Sequence, residues 1–593
     1  MKKLVALVVP MVVLSAQLGL ASSVNLQSSV AQSPVGTAVH FSAGTDVQDA
    51  STIRYRFRTR RAGGEFQTVR DFGPVGELDW TTVDREGTFQ IEVTARDMVS
   101  GDTMVASSSI QFDPLTQDGK ETVTPTANAL VFIFSAPPCK AGGRMRVAFQ
   151  SDVGAVTYTP FKNCAGHSLN FYLAGMLAQT IYHAHSTLET PDAILDGVPV
   201  DFTSGALPAG LQLPTYTITQ PAKPASAQPI LLQSTLSGTP IATDLNGNVV
   251  WYYPGYISLT RPNSGSIFGF VLDPSQDPSQ QILREFDLAG VTIRETNAQR
   301  VTEQLQAMGF QGITSFHHEV RRLPGGRIMA LGATEQLLTG VQDPGTVDVL
   351  GDMIVVLDSN LNVVWAWDAI QWLNPKRLAT LHETCTPKGG GCPAFYLAPI
   401  ANDWLHGNAL EPTDDGNILY SSRHQDWVMK ISYDGGAGDG HLLWRLGKDG
   451  DFTFASNDPY PWFSHQHDPA MIPGGNGPSK GPSKGMMTVF DNGNVRYAAD
   501  ETSHSRGQVL QLDEGSKTAK LILNADLGAL SYALGSAHRL ENGNFHFDLG
   551  ILRGTTSAQS VEVDMQGNIV YQIQSNAPEY RTFRLQDLYT NGY

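Results

Sequence analysis

Asp244-Leu-Asn-Gly-Asn-Val-Val-Trp251, Asp358-Ser-Asn-Leu-Asn-Val-Val-Trp365 and Asp564-Met-Gln-Gly-Asn-Ile-Val-Tyr571 are one unit written three times: an aspartate, a turn, and an apolar strand ending in an aromatic ring. A fourth copy runs from Asp434 to Trp444 through a longer glycine-rich turn, and weaker copies start at Asp287 and Asp513. Asn and Gly between apolar runs signal hairpins, because both tolerate the positive φ of a tight turn. The six starts are spaced by about one propeller blade plus loop insertions. A second unit precedes several of them, as Val320-Arg-Arg-Leu-Pro-Gly-Gly-Arg-Ile328, Leu410-Glu-Pro-Thr-Asp-Asp-Gly-Asn-Ile418, Met471-Ile-Pro-Gly-Gly475 and His538-Arg-Leu-Glu-Asn-Gly-Asn-Phe545. Two hairpins per period make a four-stranded blade, so the spacing predicts an all-β chain with a six-bladed β-propeller over residues 229–593.

Upstream, residues 214–229 are rich in Pro, Ala, Thr and Gln and read as an extended linker. Residues 24–113 alternate apolar and polar positions in short strands and end in Gly87-Thr-Phe-Gln-Ile-Glu-Val-Thr-Ala-Arg-Asp97, which predicts an immunoglobulin-like β-sandwich. Residues 128–218 form a second accessory β unit with a less defined boundary. At the start, Met1-Lys2-Lys3, an apolar stretch to Leu20 and the small residues Ala21-Ser22-Ser23 have the three regions of a secretory signal. Residues 1–22 are expected to be removed and the protein to be periplasmic or secreted. An uncleaved anchor is the less favoured reading, since Pro10, Ser15 and Gln17 interrupt the stretch and no basic cluster follows it.

With 593 residues the chain has room for two to four domains, and its low charged fraction of 16% with 58 glycines suits many short strands. Loss of Lys2 and Lys3 takes the formal charge from −17 to −19. Such a surface repels nucleic acid and anionic lipid, so neither nucleic acid nor a stable membrane partner is expected, and an anionic substrate needs a local cationic pocket. Four cysteines fall into two sequence-local pairs, Cys139 with Cys164 and Cys385 with Cys392. An even count in an exported chain points to two disulfides formed by periplasmic thiol-oxidising machinery. Zinc is disfavoured by the absence of CxxC spacing, and buried thiols remain the plain alternative.

Histidine supplies the chemistry. His318, His406 and His467 each stand six residues before a turn proline, Pro324, Pro412 and Pro473. Equal offsets in consecutive blades put side chains around one axis, because the innermost strand of each blade lines the channel. The matching position in the last blade is Gly535, expected to leave room beside the histidines. His317 and His465, one and two residues away, leave the register open. Asn408 follows His406 by two residues, and Arg423 ends the next strand, where a planar guanidinium fork suits a sulfate, phosphate or carboxylate. Glu319 and Asp468 directly follow two of the histidines, and strand alternation predicts that they point away from the channel, to orient an imidazole or close a contact between blades. The Gly-Pro-Ser-Lys repeat within 477–484 lacks phosphate-loop spacing and reads as a surface loop.

Phe316-His-His-Glu319, His406-Gly-Asn408, Ser422-Arg-His424, Gln466-His-Asp468 and Tyr580-Arg-Thr-Phe-Arg584, in this order and spacing, resemble the bacterial arylsulfate sulfotransferases. The resemblance covers residues 220–593 well and the N-terminal part in outline. It implies transfer of a sulfuryl group from a phenolic sulfate donor to a phenolic acceptor by a ping-pong route through a sulfohistidine, without phosphoadenosine phosphosulfate or any other cofactor. It implies that His467 is the nucleophile, that His318, His406, Asn408 and Arg423 hold the sulfuryl oxygens, and that His406 serves as acid and base. A homodimer is compatible with it. The family's local active-site disulfide has no sure counterpart here, because the Cys385 and Cys392 pair precedes His406. Two other readings satisfy the residues alone: three histidines holding a divalent metal in a lyase or hydrolase, or a noncatalytic recognition propeller.

Overall fold

A computed structural model describes residues 22–223, 228–236, 238–272, 276–387, 389–472 and 484–590. Residues 1–21 of the expected signal segment, Pro473 and most of the 477–484 loop lie outside them. The described chain is all-β, with 49% strand and 6% helix, and no helix among the described residues is long and apolar enough to cross a membrane.

The alternating pattern of residues 24–113 resolves into two facing sheets. Val24–Ser28, Val39–Thr45 and Glu77–Trp80 form one; Gln32–Pro34, Thr103–Asp113, Gly87–Asp97, Ile53–Arg61 and Gln67–Gly73 form the other, in that order. Ile53–Arg61 shows the cause: Ile53, Tyr55, Phe57 and Thr59 are buried while the arginines between them stay wetter, the two-residue period of a sheet with one covered face. Phe41, Phe57, Ile91, Val93 and Phe112 fill the space between the sheets. The edge strand Gln67–Gly73 continues through Arg70 opposite Glu295 into the strand Thr292–Asn297, so this unit is tied to the repeat region.

The second accessory unit starts earlier than expected, at the strand Thr122–Pro125. Its Phe132, Phe134, Val147 and Phe171 belong to one cluster with Trp251, Tyr253 and Phe583 of the repeat region, so the two share a core. The expected linker also needs correction. Tyr216–Gln220 is a strand paired with Ile569–Ser575, because Tyr216 and Ile218 cover Leu231, Tyr571 and Ile573.

Among the described residues, the repeats form six four-stranded antiparallel sheets, some with an added edge strand. Their first strands are Ser258–Asn263, Ser315–Arg322, Gly407–Pro412, His467–Met471, Ser536–Arg539 and Arg581–Leu585, and most consecutive pairs of these strands are in direct contact. The last of them pairs with Ile230–Ser234, so the two ends of the repeat region close one sheet. All six repeat aspartates sit at the turn between the third and outermost strands. Asp244, Asp287, Asp358 and Asp564 each accept backbone N–H groups from the residues two and four ahead, which builds the turn the sequence repeats. Both expected disulfides are present, Cys139–Cys164 and Cys385–Cys392.

The first strands do not alternate regularly. His318 and Asp468 have φ of 57° and 48°, and the strands holding them slip register between Phe316 and Val320 and between His467 and Ala470. These bulges re-aim side chains and correct the expectation for Glu319 and Asp468. Both are buried among the first strands, where Arg261 lies 2.7 Å from Glu319 and 3.0 Å from Asp468. Arg581 lies 2.6 Å and 3.3 Å from the same two carboxylates. With Arg321 on Glu411 and His538 3.1 Å from Asp468, all six first strands contribute to one buried charge cluster.

Candidate active site

Three histidines stand above this charge cluster, at the beginnings of the first strands. The proline anchor that selected them is not conserved in the sheet register. Arg322 pairs with Ile328 as Pro412 pairs with Ile418, so Pro412 matches Arg322, and Pro324 lies beyond the strand in a turn. In this register Phe316 faces Gly332 as Gly407 faces Ser422, so His406 matches Ser315 and not His318; the ring of His318, carried on the bulge, nevertheless meets His406, centroids 4.7 Å apart. His467 is close enough for His406 and Arg423 to act on its charge.

His467 is 1% exposed. Its Nδ1 lies 2.7 Å from Asn492 Oδ1, and the Asn492 amide nitrogen donates to the Ser531 and Leu534 carbonyls. With both amide protons committed, Asn492 presents only an acceptor, so His467 must carry its proton on Nδ1 and its lone pair on Nε2. Burial, reinforced by the Arg423 charge, holds the imidazole well below its ordinary pKa and therefore neutral. A neutral ring with a fixed Nε2 lone pair is a nucleophile.

His406 has the opposite surroundings. Its Nδ1 lies 2.7 Å from Asp403 Oδ2. The arrangement allows Nε2 to give and take a proton. His318 leans on His317, Nδ1 to Nδ1 2.9 Å, and His317 Nε2 is 3.0 Å from Asp352. Asp352 also accepts the Gly407 N–H at 2.7 Å and the Tyr420 hydroxyl. His318 is kept neutral by burial and by His406 beside it, and Tyr580 closes its other side at 5.7 Å.

Arg423 follows the strand Ile418–Ser422. One terminal nitrogen donates to the Tyr532 carbonyl at 3.1 Å and the other to His424 Nε2; His424 Nδ1 donates to the Asp403 carbonyl at 2.6 Å. The Arg423 Nε–H is buried without a partner among the described residues, a donor held ready for an anion. Asn408 is fully buried, and its amide nitrogen donates to the Gln466 carbonyl at 2.7 Å. The Asn408 carbonyl receives Arg581 and the Tyr580 hydroxyl.

A family model described as arylsulfotransferase (ASST) matches residues 215–584. The chain belongs to the arylsulfotransferase family. It is therefore a sulfotransferase-type enzyme by descent, and the match takes in all six first strands and the residues just described. No curated protein matches the chain. Solved structures that match in part include the FN1-FN3 domains of chicken CNTN1, at 10% identity, covering 30% of this chain and 66% of that one with a TM-score of 0.13. Another is the chicken interferon gamma receptor alpha chain, at 10%, 30%, 97% and 0.13. A third is purple acid phosphatase PPD1 from yellow lupin seeds, at 7%, 33%, 43% and 0.16. At these scores none informs the chemistry.

Of the residues expected from sequence, the structure brings His318, His406, His467 and Arg423 together, with Asn408 bonded to the Gln466 carbonyl. His465 is engaged elsewhere: its Nε2 meets Glu383, and its Nδ1 lies 3.1 Å from Asp426. Gly535 leaves no room beside the histidines, since a Cβ there would lie 2.5 Å from Phe490. The metal reading required His318, His406 and His467 to converge as ligands. Among the described residues the compact groups found instead are Cys385, Cys392 and Asp403, whose sulfurs are joined in a disulfide, and two histidine groups: Glu383, His424 and His465, and Asp403, His406 and His424. His424 is common to both, and its two nitrogens are already bonded to Arg423 and Asp403.

Sequence reading missed Asn492, Asp403, Asp352 and Glu383. Asn492 sits in Asp491-Asn-Gly-Asn494, a string indistinguishable from the turn motifs of the repeat. Asp403, three residues before His406, was visible as a carboxylate near a histidine.

Proposed function

We propose that the protein is a periplasmic or secreted arylsulfate sulfotransferase built on a six-bladed β-propeller, transferring a sulfuryl group from a phenolic sulfate to a phenol through a sulfohistidine at His467. The six four-stranded sheets and the contacts among their first strands support the propeller reading. The observation that carries the mechanism is the Asn492 carbonyl oxygen on His467 Nδ1, which leaves Nε2 unprotonated in a site that also holds a buried guanidinium and an imidazole backed by a carboxylate.

In the first half-reaction the Nε2 lone pair attacks sulfur, forming an N–S bond as the S–O bond to the aryl group breaks. The electron pair leaves on the phenolate oxygen, which takes a proton from His406. The Arg423 Nε–H and the His318 ring face the sulfuryl oxygens, where charge accumulates in the transition state. In the second half the acceptor phenol gives its proton to His406 and attacks sulfur, and the N–S electron pair returns to Nε2. Arg423 supplies the local cationic charge that an acidic chain needs to admit a sulfate ester.

The test is incubation with 4-nitrophenyl sulfate and phenol, with intact-mass measurement of a trapped adduct. The expected result is one added sulfuryl group on the wild type, and neither adduct nor 4-nitrophenol release with His467→Ala. Retention of both by that variant overturns the mechanism.

A further inference from the structure

A cavity of about 720 Å³ opens between the second accessory unit and the repeat region, walled by Pro208, residues 210–214, Tyr252, residues 254–256 and residues 576–578 together with Ala127, Thr235, Gly238 and Thr239. It opens on the same face as the histidines. Ser234 is paired with Arg581 and Ile241 with Tyr252, so the connections after Ser234 and Tyr252 emerge at the end where the first strands begin. Pro578 in its wall is two residues from Tyr580, at most ~7 Å of chain, and the Tyr580 ring packs on His318.

Its walls are pre-set. Tyr252 receives Asn128 Nδ2 on its carbonyl at 2.6 Å and the Ala129 N–H on its hydroxyl at 3.1 Å. Asn576 accepts the Thr215 N–H at 2.9 Å. Among the described residues no charged side chain lines the cavity, although the chain carries a formal charge of −17. Leu211, Leu213, Tyr252, Tyr256 and Pro578 offer apolar and aromatic surface, and Tyr256 is 53% exposed. A few hundred cubic ångströms of apolar, pre-formed space with sparse polar groups suits a drug-sized neutral ligand.

We propose that this cavity is the subsite for the distal rings of a polycyclic, uncharged phenol, the acceptor whose hydroxyl-bearing ring lies at His467. The inference rests on the sulfotransferase reading. A neutral cavity excludes the anionic end of a sulfate donor and accepts flat rings, and its position next to Tyr580 lets one molecule reach both places. The accessory unit thereby becomes part of acceptor selection.

The experiment compares phenol with a hydroxylated flavone as acceptors for the intact protein and for Leu211→Arg and Tyr256→Ala. Binding of the flavone is measured separately by fluorescence without a donor. The expected result is a KM for the flavone raised about tenfold or more in both variants, with matching loss of flavone binding and phenol turnover within about twofold of wild type. Unchanged phenol turnover also shows that the variants fold. Equal effects on both acceptors, or none on the flavone, overturn the proposal. If the wild type transfers to neither acceptor, the sulfotransferase reading falls; flavone binding that Leu211→Arg does not weaken then overturns the cavity assignment too.

Discussion

At the scale of single residues, the three histidines differ through their Nδ1 partners. His467 faces an amide oxygen and His406 a carboxylate, which under the proposed mechanism suits the first to act as nucleophile and the second as acid and base. Replacing Asn492 with Leu removes the acceptor and frees the tautomer. The sulfurylation rate is expected to fall by about 10² while flavone binding is unaffected; rapid-quench kinetics beside a binding titration check this, and an equal loss in both denies the tautomer role. The depressed pKa of His467 makes a second prediction. An ordinary imidazole, with a pKa near 6.5, loses its lone pair as pH falls through that value. His467 keeps its lone pair, so adduct formation from pH 7 to 5 is expected to show no acid limb from the nucleophile. A limb centred near 6.5 in single-turnover rates contradicts that assignment. Legibility at this scale was uneven. The histidines were found by an offset that the sheet does not preserve, and the directions of Glu319 and Asp468 were hidden because positive φ at His318 and Asp468 breaks the alternation on which any strand reading depends.

At the scale of elements, one connection organises the site. Residues 383–403 run from Glu383, which holds His465, through the Cys385–Cys392 bridge to Asp403, which holds His406. Glu335 accepts the Tyr396 N–H at 2.7 Å and also bonds the Leu397 N–H, and Asp348 accepts Ala398 at 3.1 Å, fastening the connection to the long hairpin Ile328–Leu357. A bridge closing so short a loop restricts the open chain by about 2 kcal/mol, and its effect is confined to the strap. The double variant Cys385→Ser with Cys392→Ser is expected to lower kcat about tenfold with little change in the main thermal transition. A large drop in Tm with kcat preserved shows instead that the bridge serves the fold. The aspartate turns were legible because each is a local device, an acceptor side chain folding its own next four residues. The strand Tyr216–Gln220 was not, since its pairing partner lies at the far end of the chain and its Pro-rich surroundings resemble a linker.

At the scale of the whole molecule, the repeat places acid and base groups from six strands on one axis beneath the site. Arg261, Glu319, Asp468 and Arg581 are each at most 3% exposed, and they link the first, second, fourth and last first-strands. Burying such charges is costly, and removing one partner leaves the others without their counter-charge, a loss of about 3–5 kcal/mol. Glu319→Gln keeps the shape and removes the charge, so urea unfolding at pH 7 is expected to show a loss of that size in the repeat region. The pH dependence follows from the carboxylates. Burial raises the Glu319 pKa, but Arg261 and Arg581 outweigh it and hold the group below its ordinary value; Asp468 is depressed by the same arginines. A carboxyl with a depressed folded pKa contributes stability above its unfolded value, near 4, and loses it as pH falls toward the folded one. The gap between wild type and Glu319→Gln is therefore expected to be constant from pH 8 to 5 and to narrow below about 4. A gap that instead widens in acid means that Glu319 is protonated in the native protein, and that Asp468 alone balances the two arginines.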